Sequence, residues 1–126
     1  MNKLLLLLLL PALLFGLEWR TWEQGVAEAK KADKPLLVAF MRDDCHYCHD
    51  MERAVFDDPE TASWIVSCFV PVKVNLSERK PPFAVRISMT PTFVLLQPDG
   101  TVIKTVPGSW NIDDFKALTA SACPKE

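Results

Sequence analysis

The spacing of apolar positions changes several times along this chain, and each change marks an element. The first is a continuous run. Lys3 precedes an apolar stretch from Leu4 to Leu17, 14 residues long. At about 1.5 Å per helical residue it reaches about 21 Å, short of the roughly 30 Å of a hydrocarbon core. Residues 1–17 therefore read as an export signal, with an uncleaved N-terminal tether as the alternative. Leu14-Phe15-Gly16 ends on a small residue but lacks a second one two positions earlier, so the cleavage point is poorly marked. Residues 18–126 form the remaining domain.

Helical spacing follows. Trp22, Val26 and Ala29 share one helical face, and Thr21 stands three residues before Gln24, the spacing of a capping box. Lys30, Lys31 and Lys34 lie where a helix C-terminus favours cations, and Pro35 ends the pattern. Leu36-Leu37-Val38-Ala39-Phe40 is a short apolar run, as expected of a strand covered on both faces. Cys48, Met51 and Val55 return to helical spacing. Asp58-Pro59 predicts an N-cap and first turn, with Ala62, Ile65, Val66 and Phe69 on an apolar stripe. Val70, Val72 and Val74 alternate and predict a second strand. A polar loop, Ser77-Glu78-Arg79-Lys80, precedes Pro81-Pro82. Thr92–Gln97 and Val102–Val106 predict two strands joined at Pro98-Asp99-Gly100-Thr101. Asn111, with Asp114 three residues on, predicts the cap of a last helix that turns Ile112, Phe115 and Leu118 inward. Strands separated by helices favour parallel pairing, and strands joined by a tight turn are antiparallel. The expected class is α/β: a mixed sheet of about four strands with helices on both faces.

At 126 residues the chain holds one domain. Its 14 Lys and Arg against 16 Asp and Glu offer no basic field for nucleic acid. Apolar residues make up 49%, which excludes disorder as the main description. The chemistry is concentrated. Two of the 4 cysteines and both histidines fall in Cys45-His46-Tyr47-Cys48-His49.

Cys45 and Cys48 follow a strand and open a helix. Unpaired N–H groups at a helix start stabilise negative charge, so the Cys45 thiolate, the attacking form, is favoured there. Cys48 lies one turn on, in place to close a disulfide. His46 between them adds positive charge or a hydrogen bond, while Asp43 and Asp44 oppose the thiolate. Tyr47 shapes the adjoining surface. Arg42 reads as solvated charge, with a partner to the thiolate as the alternative, and Trp19, Trp22, Trp64 and Trp110 read as packing residues.

Lys34-Pro35-Leu36-Leu37-Val38-Ala39-Phe40, Cys45-His46-Tyr47-Cys48 and Thr90-Pro91-Thr92-Phe93-Val94 together resemble the thioredoxin-like superfamily. Trp22-Glu23-Gln24 through Ala29-Lys30-Lys31 is similar to its exported branch, which includes the C-terminal domain of DsbD-type thiol:disulfide interchange proteins. The resemblance covers roughly residues 19–122. It implies a thioredoxin fold and a thiol–disulfide oxidoreductase with Cys45 as nucleophile and Cys48 as resolving cysteine. His46 and Tyr47 would tune the pair, and Thr90 with Pro91, matching the family's cis-proline, would dock substrate backbone. The expected partners are disulfide-containing or dithiol protein substrates and a membrane electron donor, in the periplasm, with no cofactor and no metal. Two positions depart from the family. Asp44 stands in place of its tryptophan. Ala39 stands in place of the buried acid that assists proton removal from the second cysteine.

Other readings compete for these residues. Cys45-His46-Tyr47-Cys48-His49 also fits the C-x-x-C-H haem-attachment pattern, with His49 and Met89 as axial ligands. Zinc on Cys45, Cys48 and His49 would need a fourth ligand from Cys68 or Cys123. A redox-inactive interaction module would use the pair only as a structural disulfide. Cys68 and Cys123 are either a buried small hydrophobe and a helix-end thiol or a second disulfide.

Overall fold

The computed structural model describes residues 16–125, so the proposed signal lies, apart from Gly16 and Leu17, outside the described residues. Helix α1 spans Trp22–Ala32, strand β1 Leu36–Met41 and helix α2 His46–Met51. A π-helical turn, Glu52–Phe56, continues α2 without a break in the chain's helical path. Helix α3 covers Pro59–Cys68, β2 Val70–Asn75, β3 Thr92–Leu96, β4 Val102–Pro107 and α4 Ile112–Thr119, with a 3-10 turn at Ala120–Ala122.

The predicted caps form as local chemistry dictates. The Thr21 hydroxyl accepts from the Gln24 N–H, and the Gln24 side-chain Oε1 accepts from the Thr21 N–H, both at 3.2 Å. Asp58 caps α3. The Thr61 hydroxyl, and after it the Thr61 N–H, hold its carboxyl below the usual aspartate range. Asn111 caps α4 through the Asp114 N–H at 2.8 Å. Asp33 ends α1 in the left-handed conformation.

The sheet has strand order β2-β1-β3-β4. The β1–β2 pair is parallel, and β1–β3 and β3–β4 are antiparallel. This is the expected mixed four-strand sheet. A single bridge from Arg20 to Val72 covers part of the outer edge of β2.

Because β1 is buried on both faces, its alternate residues feed two cores. Leu36, Val38 and Phe40 join Val70, Val72 and Val74 beneath α1 and the loop residues Phe83, Val85 and Ile87. Leu37, Ala39 and Met41 join Cys48, Met51, Val55, Ile65 and Phe115 beneath α2, α3 and α4. Aromatic edges close this second core. Phe56 and Phe93 each meet Phe115 edge-on, at 5.5 and 5.2 Å.

Three inward assignments shift. Val66 is 40% exposed, because α3 turns Thr61, Ala62, Ile65 and Cys68 to the sheet. In α4 the fully buried residues are Phe115 and Thr119, with Ile112 and Leu118 only partly covered. In α1, Gly25 is buried beside Ala29 while Trp22 and Val26 lie at the margin.

Candidate active site

The buried strand β1 delivers the chain to Cys45, which caps α2. Its Sγ accepts the Cys48 N–H at 3.2 Å, a sulfur in the position that an N-cap oxygen usually fills. Cys45 and Cys48 are joined in a disulfide, with their Cα atoms 5.2 Å apart. Cys45 keeps 7% of its surface and Cys48 only 2%, so an incoming partner meets Cys45 first.

The Thr90-Pro91 peptide is cis, and this turn lies against the pair. The Thr90 hydroxyl donates to Cys45 Sγ at 3.4 Å, and the Thr90 carbonyl oxygen is 3.5 Å from the same sulfur. The structure thus brings Cys45, Cys48, Thr90 and Pro91 into one site. Sequence reasoning placed Thr90 there for substrate backbone. It missed the hydroxyl contact, whose only signal was a hydroxyl-bearing residue before the proline.

A third segment closes the site. The Gly108 N–H donates to the Pro91 carbonyl at 2.8 Å, and the Trp110 N–H donates to Met51 Sδ at 3.1 Å. Trp110, Met89 and Tyr47, carried on these segments, remain 38, 49 and 62% exposed.

The remaining candidates sit on the outer surface of α2. The His46 side chain is 79% exposed, its Nε2 3.3 Å from Asp50 Oδ2. It also stacks edge-on with Tyr47 at 5.6 Å. His49 Nε2 lies 3.3 Å from the Asp43 carbonyl. Asp43 in turn accepts from Asn75 Nδ2 at 2.7 Å. Arg42 and Asp44 are exposed.

Beneath the helix, Ala39 is fully buried and stands opposite Lys73 in the β1–β2 register. Lys73 Nζ reaches Glu52 Oε1 at 2.6 Å and lies 5.3 Å from the Trp19 ring centroid. This pair was not picked out from the sequence. Its only signal was a lysine set between the valines of an apolar strand.

Cys68 and Cys123 form a second disulfide, separated by 55 residues, at the far end of the sheet. That pairing removes both as a fourth zinc ligand. Among the described residues no group of three His, Cys, Asp or Glu side chains is arranged to hold a metal ion.

The profile of a thioredoxin-like domain matches residues 22–122. The chain belongs to the thioredoxin-like domain family. Among curated proteins, this thioredoxin-like domain is 33% identical over 63 residues to spermatogenesis-associated protein 20 of Homo sapiens. That match takes in 49% of this chain and 8% of that protein. The chain spans less than a tenth of the length of the curated relatives it matches. Among solved structures, a thioredoxin from Thermus thermophilus superposes with TM-score 0.68 at 26% identity, covering 84% of this chain and 87% of that one. The DsbD C-terminal domain of Neisseria meningitidis, in its oxidised form, gives TM-score 0.63 at 15% identity, covering 83 and 99%. The second likeness shows the fold. Among the described residues no helix is long and apolar enough to cross a membrane.

Proposed function

We propose that this thioredoxin-like domain is an exported thiol–disulfide oxidoreductase that reduces or exchanges disulfides of substrate proteins. One observation carries the reading. Cys45 Sγ sits at a helix start and is met by two donors, the Cys48 N–H at 3.2 Å and the Thr90 hydroxyl at 3.4 Å. Donors aimed at a sulfur favour its thiolate.

In the reduced protein the Cys45 thiolate attacks a substrate disulfide. One substrate sulfur leaves as a thiolate, and Cys45 is held in a mixed disulfide. Cys48 then loses its proton and attacks Cys45 Sγ. The Cys45–Cys48 bond forms, the second substrate thiolate leaves, and each substrate thiolate takes up a proton. Two electrons have passed from the pair to the substrate. A dithiol donor, in this reading a membrane protein, returns them. Backbone on either side of the substrate cysteine would lie along Thr90 and Pro91, with His46 and Tyr47 shaping the surface above Cys45.

Export is supported by the apolar run after Lys3 and by Cys68–Cys123, a bond of the kind that persists in oxidising compartments. The periplasm is the location this favours.

The decisive experiment is a Cys48→Ser variant of the full chain, recovered from the exported fraction and alkylated. It should carry protein partners disulfide-linked through Cys45, released by reductant. Reduced variant mixed with disulfide-bearing substrates and yielding no such adducts would overturn the proposal.

A further inference from the structure

Ala39 is fully buried beneath the cysteine pair, and the residue beside it in the sheet belongs to a charged pair. Ala39 pairs with Lys73 across the parallel β1–β2 ladder. Val70, Val72 and Val74 face the core under α1. Side chains alternate along a strand, so Lys73 projects to the opposite face, the one that holds Ala39 and Cys48. There its ammonium meets Glu52 at 2.6 Å.

Glu52 is one helical turn beyond Cys48, and its N–H donates to the Cys48 carbonyl. Helical side chains lean toward the N-terminus and cover the preceding turn. The Glu52 side chain, held by Lys73, thus lies on the sheet-facing side of the helix, one turn from Cys48. The other charged groups around α2 are engaged elsewhere. Asp50 takes Arg53 at 2.7 Å and His46 at 3.3 Å. Asp43 takes Asn75, and Asp58 takes the Thr61 hydroxyl at 2.6 Å. His49 turns to the Asp43 carbonyl, and Arg42, Asp44 and Asp57 are exposed.

We propose that Glu52, held in place by Lys73, accepts the proton of Cys48 when the mixed disulfide is resolved. Its carboxylate then comes from the helix rather than from the strand. The inference rests on the exchange reading above. The Cys48 thiol gives its proton to the Glu52 carboxylate, and the resulting thiolate displaces the substrate sulfur from Cys45. The departing thiolate is protonated from Glu52 or from solvent. Lys73 is a positioning residue that keeps the carboxylate on this face.

The test follows the resolving step alone. Reduced full-length protein is mixed with the aromatic disulfide DTNB. The first thionitrobenzoate release reports attack by Cys45, and the second reports displacement by Cys48. For Glu52→Gln the second phase should slow about a hundredfold near neutral pH and recover in alkali, where the thiol ionises unaided. Glu52→Asp, which keeps a carboxylate, should retain most of the wild-type pH profile, and Lys73→Met should move it toward that of E52Q. A second-phase profile in E52Q that superimposes on wild type would overturn the role of Glu52 while leaving the exchange reading intact. A wild-type protein that shows no second release would overturn both.

Discussion

The Thr90 hydroxyl donates to the sulfur of Cys45 across 3.4 Å, joining residues 45 positions apart in the chain. A hydrogen bond to a charged group contributes about 1.5–3 kcal/mol. This donor favours the thiolate, so its loss should favour the thiol. We predict that Thr90→Val, which keeps the branched shape, raises the midpoint of the Cys45 titration. It should also slow alkylation at neutral pH by roughly tenfold. Thiolate absorbance of the reduced protein against pH checks this. A midpoint equal to that of wild type would mean that the hydroxyl contributes nothing to the reactive sulfur.

The second disulfide serves a different end of the molecule. Cys68 ends α3 one residue before β2, beside the start of β1, whereas Cys45 follows the end of β1. The two pairs are thus separated by about the length of that strand, roughly 17 Å. Closing a loop of 55 residues removes chain entropy from the unfolded state equivalent to about 4 kcal/mol. Cys68→Ala with Cys123→Ala should lower the denaturant midpoint by up to that amount and leave disulfide exchange by Cys45 and Cys48 unchanged. Unaltered stability, or loss of exchange in a protein that still folds, would contradict this division of labour.

These two relationships mark the boundary of what the sequence made legible. Local chemistry was readable. Thr21, Asp58 and Asn111 cap their own helices. The valines of β2 alternate. Gly100 supplies the positive φ of +92° in the β3–β4 turn, where the Gln97 N–H donates to the Thr101 carbonyl. The placement of Cys45 between a buried strand and a helix start was also local. Whatever depends on register across the sheet was not. That Lys73 lies opposite Ala39 follows from the pairing of β1 with β2, and no spacing within either strand encodes it. The widening of the helix at Glu52–Phe56 buries both Val55 and Phe56, and a simple 3.6-residue period does not foresee the extra residue. The partner of Cys68 was undetermined for the same reason. Two thiols 55 residues apart are brought together only by the packing of α3 against the C-terminal turn.

Register also explains a glycine that helix propensity alone would call a defect. Gly25 lies in the interior of α1, where alanine is ordinarily the better residue by about 0.5–1 kcal/mol. A Cβ at this position would stand 2.1 Å from Val72 Cγ2 and 3.5 Å from Leu36 Cδ2. The helix therefore rests on β2 at a distance only glycine allows. Overpacking of this kind costs about 1–3 kcal/mol, more than the propensity gain, so Gly25→Ala should destabilise the domain. Val72→Ala alone removes buried volume and should also destabilise. Combined with G25A it makes room for the new methyl, so the double variant should be more stable than the sum of the two single losses implies. Denaturant unfolding of the four proteins measures this coupling. A more stable G25A, or strictly additive losses, would show that α1 can move away from Val72 without penalty.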